Sequence, residues 1–106
     1  MDLKSIGAEL GLEKEEFLEI VELFLETAAQ DATHLKEAIA RKDFDLLAEA
    51  SHSLKGSAGN LGFLAIYTLS KEMEEKAREL DTEGLSTILE TITAQIQEIE
   101  KAAAAS

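Results

Sequence analysis

EKEEFLEIVELFLETAAQDATHLKEAIAR, residues 13–41, is the stretch whose reading decides the fold. Leu18, Val21, Leu25, Ala28, Ala32, Leu35 and Ile39 recur at alternating steps of three and four, and Phe17, Ile20 and Phe24 widen the stripe. A helix of about 3.6 residues per turn gathers these positions onto one continuous face, and a strand would scatter them. The spacing predicts one long helix over residues 13–41.

The same period continues downstream. Phe44, Leu47, Ser51, Leu54, Ala58 and Leu61 form a second stripe, with Asp43 placed to cap its start and Gly62 to end it. Phe63, Ile66, Leu69 or Ser70, Met73, Ala77 and Leu80 form a third. After the break at Asp81-Thr82-Glu83-Gly84, a fourth runs through Leu85, Ile88, Leu89, Ile92, Ile96 and Ile99. The β-branched cluster Thr87-Ile88 and Thr91-Ile92-Thr93 obeys that helical spacing, and no segment alternates with period two over a useful length. A short helix before Gly11 caps one end. The expected helices therefore span about 2–10, 13–41, 43–61, 63–80 and 84–102. The architecture is all-α. Long helices joined by short connections pack antiparallel, giving an up-down-up-down four-helix bundle with a short extra N-terminal helix. The final Lys101–Ser106 (KAAAAS) carries little information and could be a frayed end or a remnant of cloning.

Composition narrows the function classes. A chain of 106 residues is expected to form one domain and bury roughly two-thirds of its unfolded surface. With no cysteine, disulfides, thiolate chemistry and thiolate metal sites drop out together, which fits a reducing, cytoplasmic setting. No apolar run reaches the roughly 18 residues of a membrane span, and with the opening Met1-Asp2 no signal peptide is expected. Acidic residues outnumber basic ones 22 to 10, for a net charge of −12, so nucleic acid and anionic membrane surfaces are repelled. Such acidity serves solubility and also suits a partner with a basic docking face. Each stripe can be buried inside one bundle, so a monomer is expected.

Chemistry concentrates in His52-Ser53-Leu54-Lys55-Gly56-Ser57-Ala58-Gly59-Asn60-Leu61-Gly62. Gly56 and Gly59 fall inside the second long helix, where each costs about 1 kcal/mol relative to alanine. At 100° per residue, Lys55 lies about 60° from His52 around the axis, Gly56 about 40° and Gly59 about 20°. All four share one strip, turned away from most of the core stripe, so an outside group can approach the imidazole closely. A neutral imidazole, of reference pKa about 6.5, is a competent nucleophile. If Nδ1 carries the proton and donates it, Nε2 is free to attack. The turn near Gly62 supplies an acceptor: His52 is ten residues before it and Glu74 twelve after. Glu74 is the expected orienting carboxylate, Lys55 the cation that offsets phosphoryl charge, and Gly56, Gly59 and Ser53 the positions a partner would meet. Glu74 also sits in a run with Glu72, Glu75 and Glu79, where a solvated face is the competing reading.

Other readings fall away. The glycines match neither dinucleotide nor phosphate-loop spacing, and no strand precedes them. No metal centre is expected, on the reading that neither a Glu-x-x-His nor a His-x-x-x-His pair presents ligands on one face. A nucleotide-binding segment is absent, so an autonomous kinase is excluded. His34 has no glycine or lysine companion at helical spacing and follows Asp31 by three, which reads as an exposed, ion-paired residue.

The segment resembles the signature of the histidine-containing phosphotransfer (Hpt) domain family: His, Lys three later, Gly four later, then small residues and a Gly ten after the His. His52, Lys55, Gly56, Ser57, Ala58 and Gly62 match, with Leu54 and Leu61 at the apolar positions. The family's four-helix bundle, with its His midway along the second bundle helix, extends the likeness across the chain. A Glu or Gln on the following helix hydrogen-bonds that His, and Glu74 stands at the matching place. The resemblance implies a phosphorelay carrier, accepting and donating a phosphoryl group at His52 through the aspartate of a receiver domain, with any Mg²⁺ on the receiver and no cofactor of its own. Two alternatives stay open: a phosphoacceptor domain of a larger chemotaxis-type histidine kinase, and a helical adaptor that is never phosphorylated.

Overall fold

In the computed structural model, which describes residues 1–106, the chain forms five α-helices and no strand. They are α1 (Leu3–Glu9), α2 (Lys14–Arg41), α3 (Phe44–Leu61), α4 (Leu64–Arg78) and α5 (Leu85–Ala104). The first three starts are each held by a side-chain hydrogen bond. Asp2 Oδ1 accepts from the Ser5 amide at 3.2 Å. Glu16 Oε1 accepts from the Glu13 amide at 3.1 Å, and Asp43 Oδ1 from the Leu46 amide at 3.1 Å. These side chains satisfy amides that a first helical turn leaves without partners. Gly62, at φ 80°, ends α3 in the left-handed conformation that a side chain would oppose, and Phe63 starts the next helix at once.

Two boundaries differ from the sequence reading by two residues. α4 stops at Arg78 rather than residue 80, because the chain turns left-handed at Leu80 (φ 57°) and the Asp81 amide bonds back to Lys76 O. α5 runs on to Ala104, through a tail expected to be uninformative, since consecutive alanines are the strongest helix formers.

The α2 stripe is turned toward its Phe17–Phe24 edge, with Val21, Ala28 and Leu35 buried as expected and Leu18, Leu25, Ala32 and Ile39 packed against the core's margin. The residues it buries are Phe17, Val21, Phe24, Ala28, Asp31, Leu35 and Ala38, while Ile20 is exposed. α2 packs against α1, α3 and α5, so its apolar arc is wider than one seam.

α3 packs against both α2 and α4, and α5 closes the bundle against α2 and α4. Phe17, Leu35, Leu47, Leu54, Ile66, Met73, Ile92 and Ile99 are fully buried between them. At one end Phe63 meets Phe17 and Phe24 with ring centroids 6.3 and 5.1 Å apart. α1 seats on this cluster through Gly7, where a Cβ would come within 2.8 Å of Phe17. The result is a rod of 41 × 21 × 18 Å. No helix is long and apolar enough to cross a membrane.

Candidate functional site

The phase of α3 places Ser51, Leu54 and Ala58 inside and leaves His52, midway along the helix, and Gly56 outside. The tight turn at Gly62–Phe63 folds α4 back along α3 and brings Glu74, next to the buried Met73, opposite His52. His52 Nδ1 lies 2.8 Å from Glu74 Oε2. Lys55 Nζ donates to Glu74 Oε1 at 2.6 Å, and Arg78 Nη2 donates to Oε2 at 2.9 Å. One carboxylate therefore gathers an imidazole and two cations.

Burial alone would discourage ionisation of Glu74. Hydrogen bonds from Lys55, Arg78 and His52, with the Lys55 charge, outweigh it and hold the carboxyl at about 2 against an ordinary 4.5. An ionised carboxylate can only accept, so Nδ1 is the protonated nitrogen and donates. Nε2, on the opposite side of the ring, makes no hydrogen bond within the chain, and the His52 side chain is 67% exposed. The arrangement offers a fixed tautomer with its nucleophilic lone pair toward solvent.

The remaining sequence candidates separate into distinct environments. Lys55 lies beside His52, with its ammonium engaged by Glu74 rather than standing free. A Cβ at Gly56 would meet nothing within 4 Å, so no internal packing demands a glycine there. At Gly59 a Cβ would come within 3.0 Å of the Tyr67 ring, so close packing of α3 on α4 accounts for that glycine. Ser53 faces α2, where its hydroxyl donates to Asp31 Oδ2 at 2.9 Å. The expected Asp31–His34 ion pair is absent: Asp31 is buried and its hydrogen-bond partner is Ser53, while His34 is exposed.

Two participants escaped the sequence reading. Arg78 follows Glu74 by four, the spacing of a helical ion pair, but it sits among so many acids that it reads as solvated. Asp31 falls at a three-four step between Ala28 and Leu35, which signalled a buried position. Its burial raises the carboxyl above its ordinary value, and the Ser53 bond, with a smaller pull from His34 beyond ion-pair distance, works against that rise. Ser53→Ala removes the bond and is expected to cost about 1–3 kcal/mol near neutral pH. The Ser53 bond favours the ionised carboxylate, so the deficit should narrow as acid protonates Asp31. Thermal melts of wild type and variant between pH 7 and pH 4 check both size and sign.

Contrary to the sequence reading, Glu49 stands three residues before His52 and makes a Glu-x-x-His spacing. Nothing joins it: no three His, Asp or Glu side chains converge as metal ligands.

A family model of the Hpt domain matches residues 19–103, nearly the whole of α2 through α5. The chain belongs to the Hpt domain family. No curated protein and no solved structure matches it. Hpt domains carry out phosphotransfer in two-component signalling and meet receiver domains and kinases there, which is the coarse function of this chain. The all-helical fold agrees with the bundle of an Hpt domain.

Proposed function

We propose that the domain is a phosphorelay carrier that takes a phosphoryl group from a receiver aspartate onto His52 Nε2 and returns it to another. The observation that carries this reading is the Nδ1–Glu74 bond at 2.8 Å on an imidazole whose other nitrogen faces solvent. The Nε2 lone pair attacks the phosphorus of an acyl phosphate, and the bond from phosphorus to the aspartate oxygen breaks. The receiver keeps its carboxylate. No proton need leave, because Nδ1–H stays shared with Glu74, whose negative charge meets the positive charge developing on the ring. Lys55, one turn from His52, is the cation available to the incoming phosphoryl oxygens. Return transfer is the same path reversed, with any Mg²⁺ held by the receiver. The domain has no kinase activity of its own.

The receiver docks on the face that runs from His52 and Gly56 across Ser57 and Asn60 to α2. There Ile20, Leu23 and Thr27 line the same shallow groove, and Leu23 is 65% exposed. Glu19, Glu22 and Glu26 are exposed beside it, so the matching surface is apolar with a basic rim. The short connections, and a ring of contacts from α2 through α5 back to α2, support an up-down-up-down order for the bundle. A monomer in the cytoplasm fits this role.

Donor choice tests the reading. Incubation with receiver domains charged by acetyl phosphate is expected to label the protein, whereas ATP without a kinase is not. Labelling only by a histidine kinase with ATP would instead make the domain a kinase's phosphoacceptor.

A further inference from the structure

Glu74 holds more cations than the orientation of one imidazole requires, and the two differ in how they are tethered. Lys55 rises from α3, one turn beyond His52, with its ammonium on Oε1. Arg78 rises from α4, one turn beyond Glu74, with its guanidinium on Oε2, the oxygen that faces His52. Lys55 is therefore tied to the helix of the reacting group, and Arg78 to the helix of the carboxylate. The Arg78 side chain is 69% exposed and the Glu74 side chain 5%. For an exposed pair such a contact is worth little, but a buried carboxylate that loses its partners is costly.

We propose that Arg78 is a positioning residue that keeps Glu74 ionised and aimed at His52 Nδ1 while Lys55 turns away to a phosphoryl group on Nε2. This inference rests on the reading of His52 as the phosphoacceptor. A phosphoryl group one helical turn from Lys55 offers that ammonium a stronger anion than a carboxylate it must share. Its departure leaves Oε1 without a donor. Oε2 then retains the two bonds it already makes, from Nδ1–H and from Arg78. The carboxylate stays charged, the ring keeps its tautomer, and Nε2 remains the nitrogen that carries and releases phosphorus. No atom changes hands in this step, only the partner of one ammonium.

Removing Lys55 imitates its departure without any phosphate, so the test is independent of whether transfer occurs. The readout is the ¹⁵N spectrum of the His52 ring, which distinguishes the Nδ1–H from the Nε2–H tautomer. Lys55→Gln alone and Arg78→Gln alone are expected to stay predominantly Nδ1–H, since one cation remains in each. Together they should shift the tautomer ratio about tenfold beyond the product of the single effects, as for residues sharing one network. In the Lys55→Gln background, Arg78→Lys should restore Nδ1–H and Arg78→Met should not, because methionine keeps much of the stem and loses the charge. If the double glutamine variant does not fold, the lysine and methionine variants carry the same comparison. Additive effects of Lys55→Gln and Arg78→Gln, or restoration by methionine as full as by lysine, would overturn the proposal.

Discussion

Glu74→Ala is expected to slow phosphoryl transfer by at least about 10–100-fold, the cost seen when a carboxylate that orients a metal-bound histidine is removed. Without the carboxylate the imidazole is free to rotate and to exchange tautomers, and the positive charge that forms on the ring as Nε2 attacks loses its counter-ion. Lys55, only 24% exposed, also loses its partner. Glu74→Gln keeps an acceptor for Nδ1–H and should lose less. The two variants thus separate orientation from charge. Stability carries a second signature. The folded value of about 2 lies below the ordinary 4.5, so stabilisation by ionised Glu74 is complete above pH 4.5 and is lost as the pH falls toward 2. In Glu74→Gln that part of the acid limb should flatten. Thermal melts across that interval, beside single-turnover transfer at neutral pH, measure both effects.

Gly56→Leu is expected to do the opposite of most disabling substitutions: leave the fold intact or firmer while blocking transfer. Glycine inside a helix costs about 0.5–1 kcal/mol relative to alanine, and a Cβ at residue 56 meets nothing within the chain. A branched side chain there stands beside His52, where the docking receiver must come close. Overpacking a fitted contact costs about 1–3 kcal/mol, on the order of 10–100-fold in affinity. The control is Gly59→Leu, which should destabilise the protein by driving into the Tyr67 ring. A melting temperature at or above wild type together with lost transfer in Gly56→Leu is the expected pair of results. Undiminished transfer would remove the glycine strip from the docking face.

Much of this was legible before any coordinates, and the physical reasons are particular. Helical spacing alone placed His52, Lys55 and Gly56 on one strip, because three- and four-residue steps are neighbours on any helix. Glu74 could be found because a tight turn at Gly62 makes distance from the turn a measure of level along the hairpin. The phase of α2 was ambiguous, since Phe17-Leu18 and Phe24-Leu25 offer two adjacent apolar lines and only the packing of three neighbouring helices decides between them. Asp31 was misread because a carboxylate signals solvent by type, and its burial depends on a serine 22 residues away. Arg78 was missed for the same reason in reverse: its role exists only because Glu74 is buried, which the acidic run conceals. Pattern reveals which residues share a face, whereas the partner of a charge is a tertiary fact.

The most direct test of the central claim is the intact mass of wild type and His52→Gln after incubation with a receiver domain charged by acetyl phosphate, read at neutral and acid pH. The account predicts a gain of one phosphoryl group on wild type that acid removes and that His52→Gln never acquires. A label that survives acid, or that His52→Gln carries as wild type does, would contradict it.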